Sequence, residues 1–375
     1  MKIILIDNYT PDRQESMRRF TNMLRDGFKQ SGFSVTVWRP TVFFGYIPKT
    51  TLSGFGKWLG YIDKWLLFPV VLFFRGLFLS KEYHYHICDH SNSAYLNPLP
   101  KSRTSITCHD VLAIRGALGF KDAYCEASAM GKVLQNSILK NLLKTDKIAS
   151  VSHLTHNQLT DLNNGKSKPN WTVIHNGFNA GFVSLKEEEW QQKLREHNME
   201  RLINKPYIVH VGSNLPRKNR KMLLLMVDKL GAKWDGIICF TGQPMDSKLK
   251  QLAQELNLTD RIVEIKKPDH KYLEALICGA QVFVFPSYSE GFGWPVIEAQ
   301  ACGTPVLASH LEPMPEVGGN GALYANPDDA DSFAAKFLEI INPSVAERLV
   351  ASGFENTKRF DTDVMIKAYL NFFTI

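Results

Sequence analysis

Redox, zinc-finger and nucleic-acid signatures are missing from this sequence of 375 residues. Its six cysteines are scattered, with no C-x-x-C pair and no His/Cys spacing of a zinc site, so we expect reduced core thiols. No G-x-G-x-x-G follows the first apolar run, which argues against a dinucleotide-dependent oxidoreductase. No DNA- or RNA-binding motif is recognisable, so nucleic acid is not an expected partner.

The sequence also lacks an uncharged apolar run that is long enough to cross a bilayer. Residues 55–79 are the most apolar segment, but charged residues interrupt it, and its longest uncharged part, residues 65–74, is about half of a membrane span. Two interpretations stay open. The segment is either a helix lying on an anionic membrane surface, or a helix packed on the first sheet or in a subunit contact.

Neither positive nor negative residues dominate the chain, but the net charge is distributed unevenly between its two halves. The net charge is +7, and residues 1–185 carry ten more Lys and Arg than Asp and Glu, whereas the remaining residues carry three fewer. A basic first half favours an anionic partner, such as a phosphorylated molecule or an acidic membrane face. Residues 1–7 become acidic too soon for a signal peptide, so we expect a cytoplasmic protein, or one peripheral on the inner face of the membrane.

Strand-like apolar runs alternate with helical patterns along the whole chain. This alternation predicts an α/β fold with doubly wound parallel sheets. The length suits two domains of roughly 150–200 residues. We place the first domain at residues 1–185, the second at residues 186–355 and a final helical segment at residues 356–375.

Histidines occur near the ends of two predicted strands. Residues 84–90 contain three histidines in an alternating pattern that predicts a strand rather than a metal site, because no accompanying ligands are spaced for zinc. Residues 105–108 form another predicted strand, after which come His109 and Asp110. Ligands of open α/β sheets bind at this edge, so His109 is a candidate site residue, with a core histidine as the alternative. Asp110 could equally cap a helix.

The stretch from Gln281 to Ser309 carries the strongest functional signal. It predicts a buried strand, a glycine-containing loop, a short helix with Pro295 at its first position, and a second buried strand. The loop carries Glu290, and Glu298 is expected in the first helical turn. Loop amides and a helix N-terminus make a ready site for an anion, best suited to a phosphate.

The pattern E-G-F-G-x-P-x-x-E-A in this stretch resembles the donor-sugar signature of the retaining GT-B glycosyltransferases with two glutamates eight apart, a family 4-like group. The resemblance implies two Rossmann-like domains facing across a cleft, with the final helix crossing back to the first domain. It implies transfer of a hexose, of mannose or glucose type, from a nucleotide-diphosphate sugar to a glycan or lipid-linked acceptor. Retention of anomeric configuration, no bound metal and no cofactor beyond the substrate are also implied.

The same resemblance assigns residues to the donor. Arg217 and Lys218 would neutralise the diphosphate, a role that fixed cations also serve on charge grounds alone. Glu290 would bind sugar hydroxyls and Glu298 the ribose. The donor-binding set also includes the loop and strand positions Ser213, Ile262, Val263, Gly291, Phe292 and Gly293. The catalytic set comprises His109, Arg217, Lys218 and Glu290.

The chain departs from the family pattern at two places. The family has a Gly-Gly pair after the first strand, where this chain has none, and Arg13 or Arg19 could substitute there as a phosphate ligand or be solvated. The family often has an arginine at the position of Ser213. The missing Gly-Gly pair leaves room for a non-catalytic GT-B scaffold or membrane-surface binding protein. A GT-B sugar-nucleotide epimerase is a second alternative, because it would use the same fold.

Overall fold

The computed structural model of the protein describes residues 1–47, 50–51, 54–79, 81–178 and 181–374. The chain divides into two compact units. The first comprises Met1–Lys121, Cys125–Asn179 and Thr362–Ile375, and the second comprises Asp122–Tyr124 and Ala180–Asp361. Each unit contains a six-stranded sheet whose neighbouring strands are all parallel. The predicted α/β class with parallel sheets is therefore confirmed.

The first unit is built on a sheet with the strand order β2-β1-β3-β4-β5-β6. Its inner strands are almost wholly buried, as expected of a parallel sheet that helices cover. The elements up to the end of this sheet are β1 (Lys2–Ile6), α1 (Glu15–Gln30), β2 (Ser34–Trp38), α2 (Gly54–Ile62), α3 (Phe68–Phe78), β3 (Tyr83–Ile87), β4 (Thr104–Cys108), α4 (Leu112–Ala117), α5 (Ala129–Lys144), β5 (Ile148–Ser150), α6 (His153–Leu162) and β6 (Trp171–Val173).

The second unit is built on a sheet with the strand order β12-β11-β10-β7-β8-β9. One face of this sheet packs against α9, α10 and α14, and the other face meets α11 through the hydroxyl of Tyr207. The elements are α7 (Glu187–Glu196), α8 (Glu200–Asn204), β7 (Tyr207–Gly212), α9 (Lys221–Leu230), β8 (Ile237–Gly242), α10 (Ser247–Glu255), β9 (Ile262–Lys266), α11 (His270–Cys278), β10 (Val282–Phe285), α12 (Trp294–Ala301), β11 (Val306–Ser309), α13 (Met314–Gly318), β12 (Ala322–Ala325), α14 (Ala330–Ile340) and α15 (Pro343–Thr357).

The last helix, α16 (Thr362–Thr374), belongs to the first unit and covers the histidines of β3. His84 stacks on Phe373 with ring centroids 4.3 Å apart. The Oγ of Ser105 lies 2.9 Å from Nε2 of His84 and 2.8 Å from Nδ1 of His86. Burial lowers the pKa of His84 to about 3 and that of His86 well below its usual value. Both are neutral core residues on a strand, which confirms the strand predicted for this stretch.

Residues 54–78 form a helical segment with a buried polar anchor. A π-helical turn, Asp63–Leu67, joins α2 to α3. The carboxylate of Asp63 accepts hydrogen bonds from the backbone amides of residues 43, 44 and 45 and from the hydroxyl of Tyr9. Lys64 forms an ion pair of 2.7 Å with Asp12. These contacts hold the segment in one position on the first unit.

The two sides of this segment have different surroundings. Phe68 and Leu72 are buried in the core of the first sheet, so the packing interpretation is confirmed for the inner side. The outer side exposes large apolar residues: Phe55, Trp58, Leu66, Val70, Phe73, Phe74, Leu77 and Phe78. Among the residues that the structure describes, no helix has the length and apolarity to span a bilayer.

Candidate functional site

The polar residues predicted to bind the donor gather at the carboxyl edge of the second sheet. The loop after β7 contains a 3₁₀ turn, Pro216–Lys218, and the loop after β10 leads into α12. Because β10 pairs directly with β7, these two loops are neighbours. The backbone amide of Tyr288 donates to the carbonyl of Arg217 at 2.7 Å, which ties one loop to the other.

Three charged side chains form the centre of the site, and we call them the charge cluster: Arg217, Lys218 and Glu290. Nη1 of Arg217 lies 2.6 Å from one carboxylate oxygen of Glu290, and Nζ of Lys218 lies 2.6 Å from the other. Their side chains are 22%, 12% and 9% exposed, respectively. Two cations face one acid, so the cluster keeps a net positive charge.

Glu290 is ionised although it is buried. Burial alone would raise the pKa of its carboxyl group, but the charges of Lys218 and Arg217 and their hydrogen bonds outweigh burial and hold the pKa below its usual value. Arg217 also donates from Nη1 to the carbonyl of Ser289 at 2.9 Å. The three side chains therefore stabilise one another in a single arrangement.

Asn219 connects three loops beneath this cluster, and the sequence had suggested no role for it. Its Nδ2 donates to the carbonyl of Pro286 at 3.1 Å and to that of Pro327 at 2.8 Å. The residue is buried and adopts a left-handed conformation with φ of 49°, which asparagine tolerates better than most residues. Its role depends on loops that are distant in the sequence, so the sequence offered no signal for it.

The start of α12 differs by one residue from the prediction. Gly293 caps the helix with φ of 107°, and a Cβ at this position would lie 2.6 Å from Cε of Met314. Trp294 is therefore the first helical residue and Pro295 the second. As a consequence Glu298, which is buried, lies at the start of the second turn and not in the first turn as predicted.

The remaining residues of the E-G-F-G loop have clear structural positions. The side chain of Phe292 is buried and packs edge-on against Phe360 with ring centroids 5.6 Å apart. Glu290, Gly291, Phe292 and Gly293 thus follow one another directly into the helix N-terminus. Of these four residues, Glu290 is the one that contacts Arg217 and Lys218.

Ser213 directly follows β7, where the backbone passes close to the neighbouring strand. Gly212 pairs with Gly242, and a Cβ on Gly242 would lie 2.6 Å from the carbonyl oxygen of Gly212. Below this point His210 is fully buried, with Nδ1 3.0 Å from the carbonyl oxygen of Val284. Burial lowers the pKa of His210 to about 3, so the ring is neutral and adds no charge to the site.

Ile262 and Val263 lie away from this edge, and their assignment needs correction. They are the first two residues of β9, and their register partners are Ile238 and Cys239. The residue level with Gly242 is Lys266, four positions further on, or about 13 Å along the strand. The sheet's carboxyl edge at β9 is therefore formed by its last residues, and Ile262 and Val263 are not part of the site there.

His109 belongs to the first unit, at the carboxyl end of β4. Its Nε2 lies 2.8 Å from the carbonyl oxygen of Cys88, and its ring meets Phe20 edge-on at 4.7 Å. Burial lowers the pKa of His109, although the nearby Asp89 carboxylate opposes this change. A carbonyl can only accept, so Nε2 carries the proton and Nδ1 is the unprotonated nitrogen. Oδ1 of Asp110 accepts from the amide of Leu112 at 3.0 Å, at the start of α4.

A polar network occupies the loop after β1, where the family has Gly-Gly. Nδ2 of Asn8 donates to Asp89 at 2.6 Å, and Asp7 pairs with Arg39 at 2.6 Å. A cavity of about 130 Å³ lies beside this loop and is lined by Arg13 and Arg39 among others. Arg19 does not line it. Of the two arginines considered from the sequence, Arg13 is therefore the one beside the loop.

The charges and the helix start at this edge of the second unit favour an anion. A partly buried cluster of net positive charge lies beside the N-terminus of α12, whose backbone dipole also favours an anion. An anion arriving there would share the cations with Glu290 and would compete with it for them. The side chain of Glu290 would then be available for hydroxyl groups next to the phosphate.

Comparison with known proteins gives consistent results. The family described as Glycosyl transferases group 1 matches residues 192–354. The O-antigen chain mannosyltransferase RfbU of Salmonella typhimurium is 30% identical over 273 residues, which are 72% of this chain and 68% of that protein. The O-antigen chain mannosyltransferase B of Escherichia coli is 32% identical over 172 residues, 44% of this chain and 45% of that protein.

A solved structure has the same fold along the whole chain. The sucrose-phosphate synthase from Thermosynechococcus elongatus superposes with a TM-score of 0.74 at 19% identity, covering 100% of this chain and 98% of that one. At this level of identity the likeness concerns the fold alone.

Proposed function

The chain belongs to the glycosyl transferases of group 1 and has their GT-B fold, and from this premise we propose that it is a retaining, metal-independent hexosyltransferase. Family membership and the named relatives support hexosyl transfer. The observation that carries the finer proposal is the charge cluster of Arg217, Lys218 and Glu290 beside the N-terminus of α12. A nucleotide-diphosphate sugar is the substrate, and no separate cofactor is required.

Arg217 and Lys218 bind the diphosphate of the donor. The leaving nucleoside diphosphate gains negative charge as the glycosidic bond breaks, and fixed cations in a partly buried site stabilise that charge. Arg217 uses one nitrogen for Glu290 and Ser289, so its guanidinium has further N–H groups for phosphate oxygens. The N-terminus of α12 adds to this stabilisation, which is why no metal ion is needed in the proposal.

The two glutamates bind the two sugars of the donor. Glu290 accepts hydrogen bonds from hydroxyls of the transferred hexose, and Glu298 accepts them from the ribose. The backbone amides at Phe292 and Gly293 contact the transferred sugar, with Gly291 allowing the loop to approach. Ser213 lies close to the diphosphate, and His109 remains a candidate catalytic residue of the first unit.

The transfer step takes place on one face of the sugar. The bond between the anomeric carbon and the phosphate oxygen breaks, and the acceptor oxygen forms its bond to the same carbon from the same side. The acceptor's hydroxyl proton passes to the leaving phosphate oxygen. No enzyme nucleophile is required by this scheme, and the configuration at the anomeric carbon is retained.

The hexose and the acceptor are inferred from the relatives and from the surface. The two named relatives are mannosyltransferases of O-antigen chains, so we propose mannose ahead of glucose, and a polysaccharide or its lipid-linked precursor as acceptor. The outer side of residues 54–78 supports a peripheral position on an anionic membrane, since it exposes large apolar side chains in the more basic half of the sequence. The cytoplasmic face is the proposed location.

Thermal unfolding with nucleotides tests the donor site directly. The protein is heated in the presence of UDP, GDP or ADP, or of their glucose and mannose conjugates, with EDTA and then with Mg²⁺. We expect one base to raise the midpoint in EDTA, because a ligand that binds only the folded state stabilises it. Glu298→Gln should abolish this shift, whereas Glu339→Gln, on the exposed surface of α14, should leave it unchanged.

Product analysis then separates the transferase from an epimerase. A transferase consumes the donor when a glycan or lipid-linked acceptor is added and forms a product whose anomeric configuration matches that of the donor. An epimerase changes the sugar of the donor with no acceptor present. Inversion at the anomeric carbon would contradict the proposed step, and absence of any nucleotide shift in a folded protein would contradict the donor site.

A further inference from the structure

The first unit contains an apolar groove that the donor site does not use. One wall is α2 and the π-helical turn that follows it, and the other wall is the first half of α5. The groove has a volume of about 590 Å³, which is within the range of small-molecule pockets. Its walls are mainly the side chains of Trp58, Tyr61, Trp65, Met130, Val133 and Leu134.

The groove keeps its apolar walls in contact with solvent. Trp58, Met130 and Val133 are 50%, 55% and 65% exposed. The aromatic wall is ordered, since Tyr61 stacks on Trp65 with centroids 4.3 Å apart and meets Trp58 edge-on at 5.8 Å. Exposed apolar surface of this extent indicates a binding site, because leaving it in water is unfavourable.

The wall formed by α2 does not depend on a ligand for its position. It continues into the turn that the buried Asp63 holds through three backbone amides and the hydroxyl of Tyr9. Lys64 adds its ion pair with Asp12 and lies 4.9 Å from the ring centroid of Tyr61. π-Helical turns are rare and frequently occur at functional sites.

Charge at the groove selects the kind of ligand. Lys57 is the one charged residue in its lining, and its ammonium lies 5.6 Å from the ring centroid of Tyr61. Over the described part of the chain Lys57 has no carboxylate partner. Ser128, which caps the N-terminus of α5, lies in the same lining, so the positive end of that helix faces the same region. An apolar groove with positive charge suits an amphiphile that has an anionic head.

We propose that this groove binds the hydrocarbon chain of a phosphate-linked lipid acceptor, with Lys57 next to the phosphate. The inference rests on the lipid-linked acceptor of the proposed function and adds the place where its chain lies. The groove shares Trp58 with the exposed apolar side of residues 54–78, so the two apolar surfaces meet at this residue.

Calorimetric titration with single-chain alkyl phosphates tests the groove. Octyl, decyl and dodecyl phosphate are used below their micelle concentrations, with inorganic phosphate as the headgroup control. Burial of a methylene contributes about 0.8 kcal/mol, so each added pair of methylenes should strengthen binding roughly fourfold if half-buried and fifteenfold if fully buried. Affinity that does not depend on chain length would overturn the proposal.

Two exposed valines on helices of the first unit provide a matched pair of variants. Val133→Glu places a negative charge in the groove and should weaken dodecyl phosphate binding at least tenfold. Val364→Glu changes a valine on α16 that is 51% exposed and does not line the groove, so it should bind as the wild type does. Met130→Glu serves as a second groove variant, and circular dichroism checks the fold of each.

Two further measurements distinguish the sources of failure. Lys57→Gln should weaken dodecyl phosphate and leave the uncharged dodecyl maltoside unchanged, and equal loss for both would overturn the role of Lys57. If Val133→Glu impairs binding only to phosphatidylglycerol vesicles and not to monomeric dodecyl phosphate, the groove does not hold a chain. Nucleotide-induced thermal shifts should be the same in Val133→Glu and the wild type, so the donor site is judged separately.

Discussion

Removing the carboxylate of Glu290 should destabilise the second unit and should also strengthen its binding of a free nucleoside diphosphate. In Glu290→Gln, the two cations that lie 2.6 Å from the carboxylate lose their counter-charge. Breaking a buried ion pair by removing one partner costs about 3–5 kcal/mol. Arg217 and Lys218 keep some contact with solvent, so we expect about 2–3 kcal/mol here.

The loss should depend on pH in a defined direction. The pKa of Glu290 is lower in the folded protein than the usual value of about 4.3, so its contribution to stability is present above that pH. It is lost as the pH falls through the lowered folded pKa. The difference between the wild type and Glu290→Gln should therefore be complete at pH 7 and should shrink below about pH 4.

Thermal unfolding followed by circular dichroism measures this effect. A loss of 2–3 kcal/mol corresponds to a decrease of roughly 4–12 °C in the midpoint for a unit of this size. Glu339→Gln, which removes an exposed ion pair with Lys336, should change stability by less than about 1 kcal/mol. The nucleoside diphosphate replaces the missing charge, so its stabilising shift should be larger in Glu290→Gln than in the wild type. Equal midpoints for the two variants, or a smaller nucleotide shift in Glu290→Gln, would refute the reasoning.

Three further changes have expected results. Asn219→Ala leaves two buried carbonyls without their donor and should cost about 2–4 kcal/mol in urea unfolding, with Asn219→Gly recovering the share due to the positive φ. Gly293→Ala should lower the thermal midpoint and weaken nucleotide binding because of its φ of 107° and the contact with Met314, whereas Gly76→Ala, where a Cβ meets nothing within 4 Å, should be neutral or stabilising. The pKa of His210 is about 3 in the folded protein and near 6.5 in the unfolded chain, so the wild type should lose about 1.4 kcal/mol of folding stability for each pH unit below 6.5. The thermal midpoint of His210→Phe should therefore fall less steeply than that of the wild type between pH 6 and 4.

Much of the fold could be predicted from local patterns. Strands of parallel sheets are buried on both faces, so they stand out as short apolar runs such as those at Ile3–Ile6 and Val282–Phe285. Their alternation with helices then restricts the topology to doubly wound sheets. The members of the charge cluster were predicted from the resemblance to the GT-B family, and the need for fixed cations beside a diphosphate supported Arg217 and Lys218 independently.

The incorrect predictions concern residues whose position depends on the conformation of one neighbouring residue or on the direction of a strand. Gly293 adopts a left-handed conformation and ends the loop one residue earlier than the proline suggested, which moved Glu298 into the second turn. Ile262 and Val263 were assigned to the right strand but to its wrong end. The connections made by Asn219 depend on three loops that meet only in the folded sheet, so no pattern along the chain could reveal them.

Residues 54–78 show how a polar interruption can mislead. Asp63 and Lys64 break the apolar run in the sequence, yet both are buried and fix the segment to the first unit. The lengths of apolar runs describe only whether a helix can span a membrane. They do not show which polar residues are turned inward to leave an apolar outer side.

The most direct test of the account is calorimetric titration of UDP, GDP and ADP in EDTA against the wild type, Lys218→Met and Lys221→Met. Lys218 belongs to the charge cluster, whereas Lys221, three residues later in the same chain, contacts none of its members. We expect one of the three nucleotides to bind the wild type and Lys221→Met alike, and to bind Lys218→Met at least tenfold more weakly. Equal affinity of all three proteins, or no binding by a folded wild type, would contradict a donor site at Arg217, Lys218 and Glu290.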